Sequence, residues 1–169
     1  YHTCINAMEY ERRINAAGPT HGHLIRLSDG KMPKDIGFIQ CVGARDVNKG
    51  VPFCSRVCCM YGVKNAVMAR EHDPDAKVTI YYADIRAFGK GFEEFYEMAR
   101  SRFGVNFVKG RVGEVIEDPK TQDLIVEVED IETSKPEVSV EEIEMEEMQL
   151  EEEEEEEEEE IVEEEVEFV

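Results

Sequence analysis

A chain of 169 residues can bury a core and suggests one domain, or one and part of another. Residues 141–169 hold 19 glutamates and no lysine or arginine, so of the net charge of −21 only −2 belongs to residues 1–140. Such a balance, with no long basic run, argues against nucleic acid as a partner, because phosphates would be repelled.

In chain order, residues 10–16 read as a short helix. Gly18-Pro19-Thr20-His21-Gly22-His23 and Ser28-Asp29-Gly30-Lys31-Met32-Pro33 read as loops. Ile36-Gly37-Phe38-Ile39-Gln40-Cys41-Val42 is an apolar run between turn signals, expected as a buried strand. A loop over 46–52 follows, broken by Asn48, Gly50 and Pro52. Ser55 is the expected cap of a helix over 55–72, with Val57, Met60, Val63 or Lys64, Val67 and Met68 as its apolar stripe. Asp73-Pro74-Asp75 ends it.

Val78-Thr79-Ile80-Tyr81-Tyr82 is β-branched and aromatic, and predicts a second strand. Phe88-Gly89-Lys90-Gly91 is a turn. A helix over 92–102 follows, with Phe92, Phe95, Tyr96 and Ala99 on its core face. A third strand is expected over 105–108. Alternating runs over 111–117 and 124–129, around Asp118-Pro119-Lys120-Thr121, predict a hairpin.

Alternating strands and helices imply an α/β fold with a parallel sheet and right-handed crossovers. The expectation is a Rossmann-like dinucleotide-binding layout over residues 36–137, with a β-hairpin extension. From residue 138 the composition changes, and 151–160 is unbroken glutamate. Like charges repel along it and little can be buried, so 138–169 reads as a disordered acidic tail.

The chemistry concentrates in Cys41, Cys54, Cys58 and Cys59. Twelve residues separate the first two, three separate Cys54 from Cys58, and Cys59 follows directly. The expected placement is the end of the first strand for Cys41 and the start of the first helix for the others. These two places meet in an α/β unit. Free N–H groups at a helix start stabilise thiolates, and Arg45 and Arg56 offset further negative charge. Four thiolates suit an iron–sulfur cluster. They also suit zinc, although zinc sites usually show two spaced pairs rather than adjacent cysteines.

Five cysteines of this spacing are not a secreted disulfide scaffold. No signal-peptide pattern and no membrane-length apolar stretch is present, so the expected compartment is cytoplasmic, without membrane attachment. Cys4 reads as a plain core residue. The position after the first strand, where a nucleotide-binding unit carries Gly-x-Gly-x-x-Gly, reads Cys41-Val42-Gly43-Ala44-Arg45-Asp46. A metal cluster in place of the nucleotide is the expectation. Asp84 stands where a ribose-binding acid would, but lacks the glycines that role needs.

Phe38-Ile39-Gln40-Cys41-Val42-Gly43-Ala44-Arg45-Asp46, with Phe53-Cys54-Ser55-Arg56-Val57-Cys58-Cys59-Met60-Tyr61, resembles the A subunit of heterodisulfide reductase. Gly18-Pro19-Thr20, Gly22-His23 and Asp84-Ile85-Arg86-Ala87-Phe88-Gly89-Lys90-Gly91-Phe92-Glu93-Glu94-Phe95-Tyr96 agree, so the resemblance covers residues 5–135. It implies a thioredoxin-reductase-like core carrying FAD and several [4Fe-4S] clusters, in a methanogenesis oxidoreductase whose flavin is associated with electron bifurcation. The family's cluster motif maps onto Cys41, Cys54, Cys58 and Cys59.

The implied partners are the other reductase subunits, hydrogenase or formate dehydrogenase donors, and ferredoxin. A homodimer is a compatible assembly. Residues 1–35 correspond to a linker from a flavin-domain half. The chain departs from the family in lacking the FAD glycine motif and the ferredoxin-type cysteine repeats, and in having poly-Glu where the flavin domain should close. This stretch is therefore not expected to hold FAD, or to be catalytic, alone.

Of the remaining residues, His21 and His23 read as solvated loop histidines. Arg86 and Lys90 read as cofactor contacts or surface ion pairs. Met60 and Tyr61 are expected to shield the cysteines. A zinc-binding structural or regulatory module is one alternative. The other is a non-metallated interaction fragment whose acidic tail binds a basic partner.

Overall fold

A computed structural model of the chain describes residues 4–26, 29–48, 51–121, 123–130 and 136–137. The elements are α1 (Ala7–Ile14), β1 (Asp35–Ile39), α2 (Cys58–His72), β2 (Lys77–Tyr82), α3 (Phe92–Ser101), β3 (Asn106–Glu117), β4 (Leu124–Asp130) and β5 (Pro136–Glu137). The acidic tail expected over 138–169 lies outside the described residues.

The fold is α/β, with the expected parallel strands, and the expected hairpin joins them in one mixed sheet. Its order is β1-β2-β3-β4-β5. β1, β2 and β3 run parallel, while β4 and β5 are antiparallel additions. Parallel pairing needs a long crossover, which α2 and α3 supply, whereas β3 and β4 need only a turn. The third strand and the first arm of the hairpin, expected as separate runs, are one strand. β3 pairs with β2 over residues 106–109, then with β4 from Gly110. A register shift between Val112 and Glu114 re-aims it on the way.

Each parallel strand lies beside the one before it, so both crossovers step the same way and their helices share one face. Phe38, Ile80 and Phe107 stand in register across that face. They meet Val63, Ala66 and Val67 of α2, Ala99 of α3, and Tyr10 and Ile14 of α1 in one core. Tyr10 packs edge-on against Phe38, with centroids 5.2 Å apart, and Tyr96 against Phe107 at 4.8 Å.

α1 begins three residues before the expected helix because Asn6 and Glu9 form a capping box. α2 begins at Cys58 rather than being capped by Ser55. Arg56 has φ 67°, which no right-handed helix accommodates, and Val57 takes the cap position without a side-chain bond. α2 also lacks a single apolar stripe. It buries Cys59, Gly62, Val63, Asn65, Ala66, Val67 and Ala69, while Val57 is exposed. Phe92 begins α3 but is 41% exposed, outside the core expected for it. Cys4 is exposed rather than a core residue, and no helix among the described residues is long and apolar enough to cross a membrane.

Candidate metal centre

The site is built where β1 ends. Gln40 continues the ladder by one bond, its N–H donating to Tyr81 O at 3.0 Å. Cys41 then leaves the sheet with φ 61°, a left-handed conformation uncommon for a side chain of this kind. Ala44 N–H closes a turn onto Cys41 O at 3.1 Å, and Gly43 and Arg45 also have positive φ. Arg45 N–H donates to Phe53 O at 3.2 Å, and Asp46 and Val51 exchange both backbone bonds. This small hairpin folds the loop back on itself. The described residues between Cys41 and Cys54 are thereby spent in a round trip.

Cys54 Sγ accepts the Arg56 amide at 3.3 Å. Cys58 and Cys59 form the first turn of α2, where the helix has free N–H groups. Cys59 is buried, and its Sγ–H donates to Asp84 O, just past β2, at 3.5 Å. Cys58 is half-buried. Its interaction with Cys59 holds its thiol well below the usual range, helped by the Cys41 backbone, Ser55 and the Cys41 side chain, against the effect of burial. The same interaction with Cys58, and then burial, pushes Cys59 up. Burial first, and then the charge of Cys58, raises Cys41, while Arg45 acts in the opposite sense.

Cys41, Cys58 and Cys59 thus lie within electrostatic reach of one another, and Cys54 within reach of Cys41. No three His, Cys, Asp or Glu side chains among the described residues gather closely enough to hold one metal ion. In an iron–sulfur cluster each thiolate binds its own iron, so its four ligands stand further apart than the ligands of one ion. The donor set of four thiols, one already favouring its anion, fits such a cluster in number and type. One buried atom points the same way: Arg45 Nη1 has no hydrogen-bond acceptor, with Asp84 Oδ2 3.7 Å away.

Three features were not legible in the motif. Asp84 is not left for a ribose; its Oδ2 accepts Arg86 Nε at 3.0 Å and lies 3.7 Å from Arg45 Nη1. Arg111 of β3 donates to Arg45 O at 3.0 Å, which ties the cysteine loop to the long strand. Val42, Val47, Phe53, Val57 and Phe88, on the loops that carry or face the cysteines, are between 68% and 78% exposed. Spacing alone gave no signal for any of them except that Asp84 and Arg86 sit at a strand end. His21 and His23 are exposed, as read. Of the two residues expected as shields, Met60 is half-buried, and Tyr61 is turned toward α1, bonding Glu11 and Ala7 O.

No protein-family model matches the chain. Curated proteins do. The chain is 58% identical over 130 residues to the A subunit of the H2/formate:CoB-CoM heterodisulfide,ferredoxin reductase of Methanococcus maripaludis, which is 77% of this chain and 20% of that protein. It is 54% identical over 139 residues to an iron-sulfur A subunit of the CoB–CoM heterodisulfide reductase of Methanopyrus kandleri, covering 80% and 21%. It is 55% identical over 130 residues to the corresponding iron-sulfur A subunit of Methanocaldococcus jannaschii, covering 77% and 20%. The chain therefore spans about one fifth of the length of the curated relatives it matches.

Proposed function

Since the chain belongs to the family of heterodisulfide reductase A subunits, we propose that Cys41, Cys54, Cys58 and Cys59 ligate one [4Fe-4S] cluster and that this segment relays electrons. The relay runs between FAD, held elsewhere in the full-length protein, and partner proteins. The observation that carries this reading is the cysteine loop. It folds back through Arg45 and Phe53 so that Cys54 returns toward Cys41 while Cys58 and Cys59 open α2. When bound, such a cluster supplies one-electron transfer.

The chain's own residues do the rest. The α2 N-terminus and the Arg56 amide stabilise thiolates. Arg45 contributes positive charge beside Cys41. The exposed apolar side chains around the loop form a rim that excludes water once covered.

In this reading residues 36–137 are the cluster-binding domain, a thioredoxin-reductase-like, Rossmann-type unit whose nucleotide turn has become a cysteine turn. Residues 1–35 join it to a flavin-domain half, with Tyr10, Ile14 and Leu24 anchored in the same core. The names of the relatives carry hydrogen, formate and ferredoxin. The corresponding partners here are the other reductase subunits, a hydrogenase or formate dehydrogenase, and ferredoxin, in the cytoplasm. Two-electron chemistry belongs to the complex rather than to this segment.

The test is anaerobic purification of the full chain with iron, sulfide and zinc analysis and a visible spectrum. A brown protein with about four iron and four sulfide per chain, lost on Cys54→Ser, supports the reading. A folded, colourless protein that takes up no iron on reconstitution, or one holding stoichiometric zinc, overturns it.

A further inference from the structure

We propose that Arg45 and Arg86, bridged by Asp84, form a charge clamp that sets the reduction potential of the centre held by the four cysteines. This rests on the cluster reading above and goes beyond it to name the residues that tune it.

The clamp is assembled from two loops. Asp84 follows β2 and presents Oδ2 to both guanidinium groups, at 3.0 Å from Arg86 Nε and 3.7 Å from Arg45 Nη1. Its carbonyl oxygen accepts Cys59 Sγ–H, so the same residue touches the cysteine group and the cations. Arg45 interacts with Cys41, and Arg86 with Cys54 and Cys59. Arg111 fixes the backbone of Arg45 from β3. Two cations and one anion thus lie within electrostatic reach of Cys41, Cys54 and Cys59.

A plain surface ion-pair network is the alternative, and the side chains of Asp84 and Arg86 are 47% and 43% exposed. Such pairs contribute little to stability. Arg45 fits that description only in part. Its side chain is 29% exposed and pairs with Asp84 at 3.7 Å, but its Nη1 is buried and has no hydrogen-bond acceptor. A buried guanidinium N–H without an acceptor is costly. A dense negative charge at the sulfurs accounts for its place, since a thiolate-bound cluster is anionic. Net charge and hydrogen bonding around the sulfurs are the levers by which a protein sets a cluster potential.

The sign follows from charge. Reduction adds an electron, so a nearby cation raises the potential and a nearby anion lowers it. The experiment is a redox titration of the anaerobically purified full chain, followed by electron paramagnetic resonance, with iron and sulfide content measured on each sample. Arg45→Gln and Arg86→Gln are expected to shift the midpoint to more negative values, and Asp84→Asn to more positive values, with iron content unchanged in Arg86→Gln and Asp84→Asn. Raising the salt concentration should shrink the Arg86 shift more than the Arg45 shift, because Arg45 Nη1 is buried.

Opposite signs are what a structural role would not produce. If Arg45→Gln loses iron through misfolding, the Arg86→Gln and Asp84→Asn pair still decides. Unchanged midpoints, or shifts of one sign in all variants, overturn the clamp while leaving the cluster in place. Wild-type protein that binds no iron overturns the cluster reading, and the clamp with it.

Discussion

Gly62 of α2 sits directly against Gln40 at the end of β1: a Cβ built on Gly62 would stand 1.9 Å from Gln40 Nε2 and 3.0 Å from its Cδ. Gln40 precedes Cys41, and Gly62 lies one turn after Cys58. The missing side chain therefore sets how closely the two halves of the cysteine site approach. Alanine requires only that the half-buried Gln40 amide swing aside, and it gains about 1 kcal/mol of helix propensity over glycine. Gly62→Ala is expected to be near neutral. Gly62→Val adds branched bulk that Gln40 cannot evade, at about 1–3 kcal/mol, and should lower both the midpoint of thermal unfolding and the iron bound per chain. Full iron content in Gly62→Val would show that the strand end and the helix start need not touch.

A second close approach holds the long strand to its partner. Gly110 is buried where β3 passes from β2 to β4, and a Cβ there would lie 2.3 Å from Val128 Cγ1 and 2.9 Å from Glu129 O. The second contact is backbone, so relief requires the strands to separate. Gly110→Ala should cost about 1–3 kcal/mol, read as a lower urea midpoint at unchanged slope. Val128→Ala in the same chain removes the Cγ1 contact, so the double variant should lose less than the sum of the two single losses.

β2 and α3 were legible in the sequence from the residue types and spacing of their core faces, and Asp73-Pro74 ends α2 where expected. β1 was read from an apolar run over 36–42, but it stops at Ile39, and Val42 is exposed. The fusion of the third strand with the hairpin was not legible. Lys109, Gly110 and Arg111 look like a break, and only pairing on both sides makes them strand. The start of α2 was misplaced because Ser55 has the chemistry of a cap, whereas the left-handed Arg56 is a property of the folded loop. The four cysteines were singled out from type and spacing. Asp84 as the residue between two arginines and Cys59 was not, because it reaches the site from the next strand through tertiary contact alone.

α1 is tied to α2 by Glu11, whose carboxylate accepts from Lys64 Nζ at 2.7 Å and from the Tyr61 hydroxyl. Lys64, then Tyr61, holds the Glu11 carboxyl below the usual glutamate range. A carboxyl depressed in the folded state stabilises above its unfolded value of about 4.3 and loses that contribution as pH falls through the folded value. Urea unfolding of wild type and Glu11→Gln should therefore differ at pH 7, with wild type the more stable, and converge once pH drops below the ordinary carboxylate range. A gap that stays constant on acidification would mean that Glu11 acts through packing rather than charge.

Among the five cysteines, Cys4 is exposed ahead of α1, while Cys58 opens α2 within electrostatic reach of Cys59 and Cys41. The two should behave oppositely on substitution. Cys4→Ser removes no contact of the cysteine group and should leave iron and sulfide per chain unchanged. Cys58→Ser replaces the thiol that most favours its anion with a hydroxyl that stays protonated at neutral pH, and should abolish the cluster while leaving far-ultraviolet circular dichroism near that of the metal-free wild type. Iron analysis on matched anaerobic preparations separates the two. Loss of iron in Cys4→Ser with retention in Cys58→Ser would reassign the ligands, and would require residues 4–6 to reach the sulfurs past the α1 capping box formed by Asn6 and Glu9.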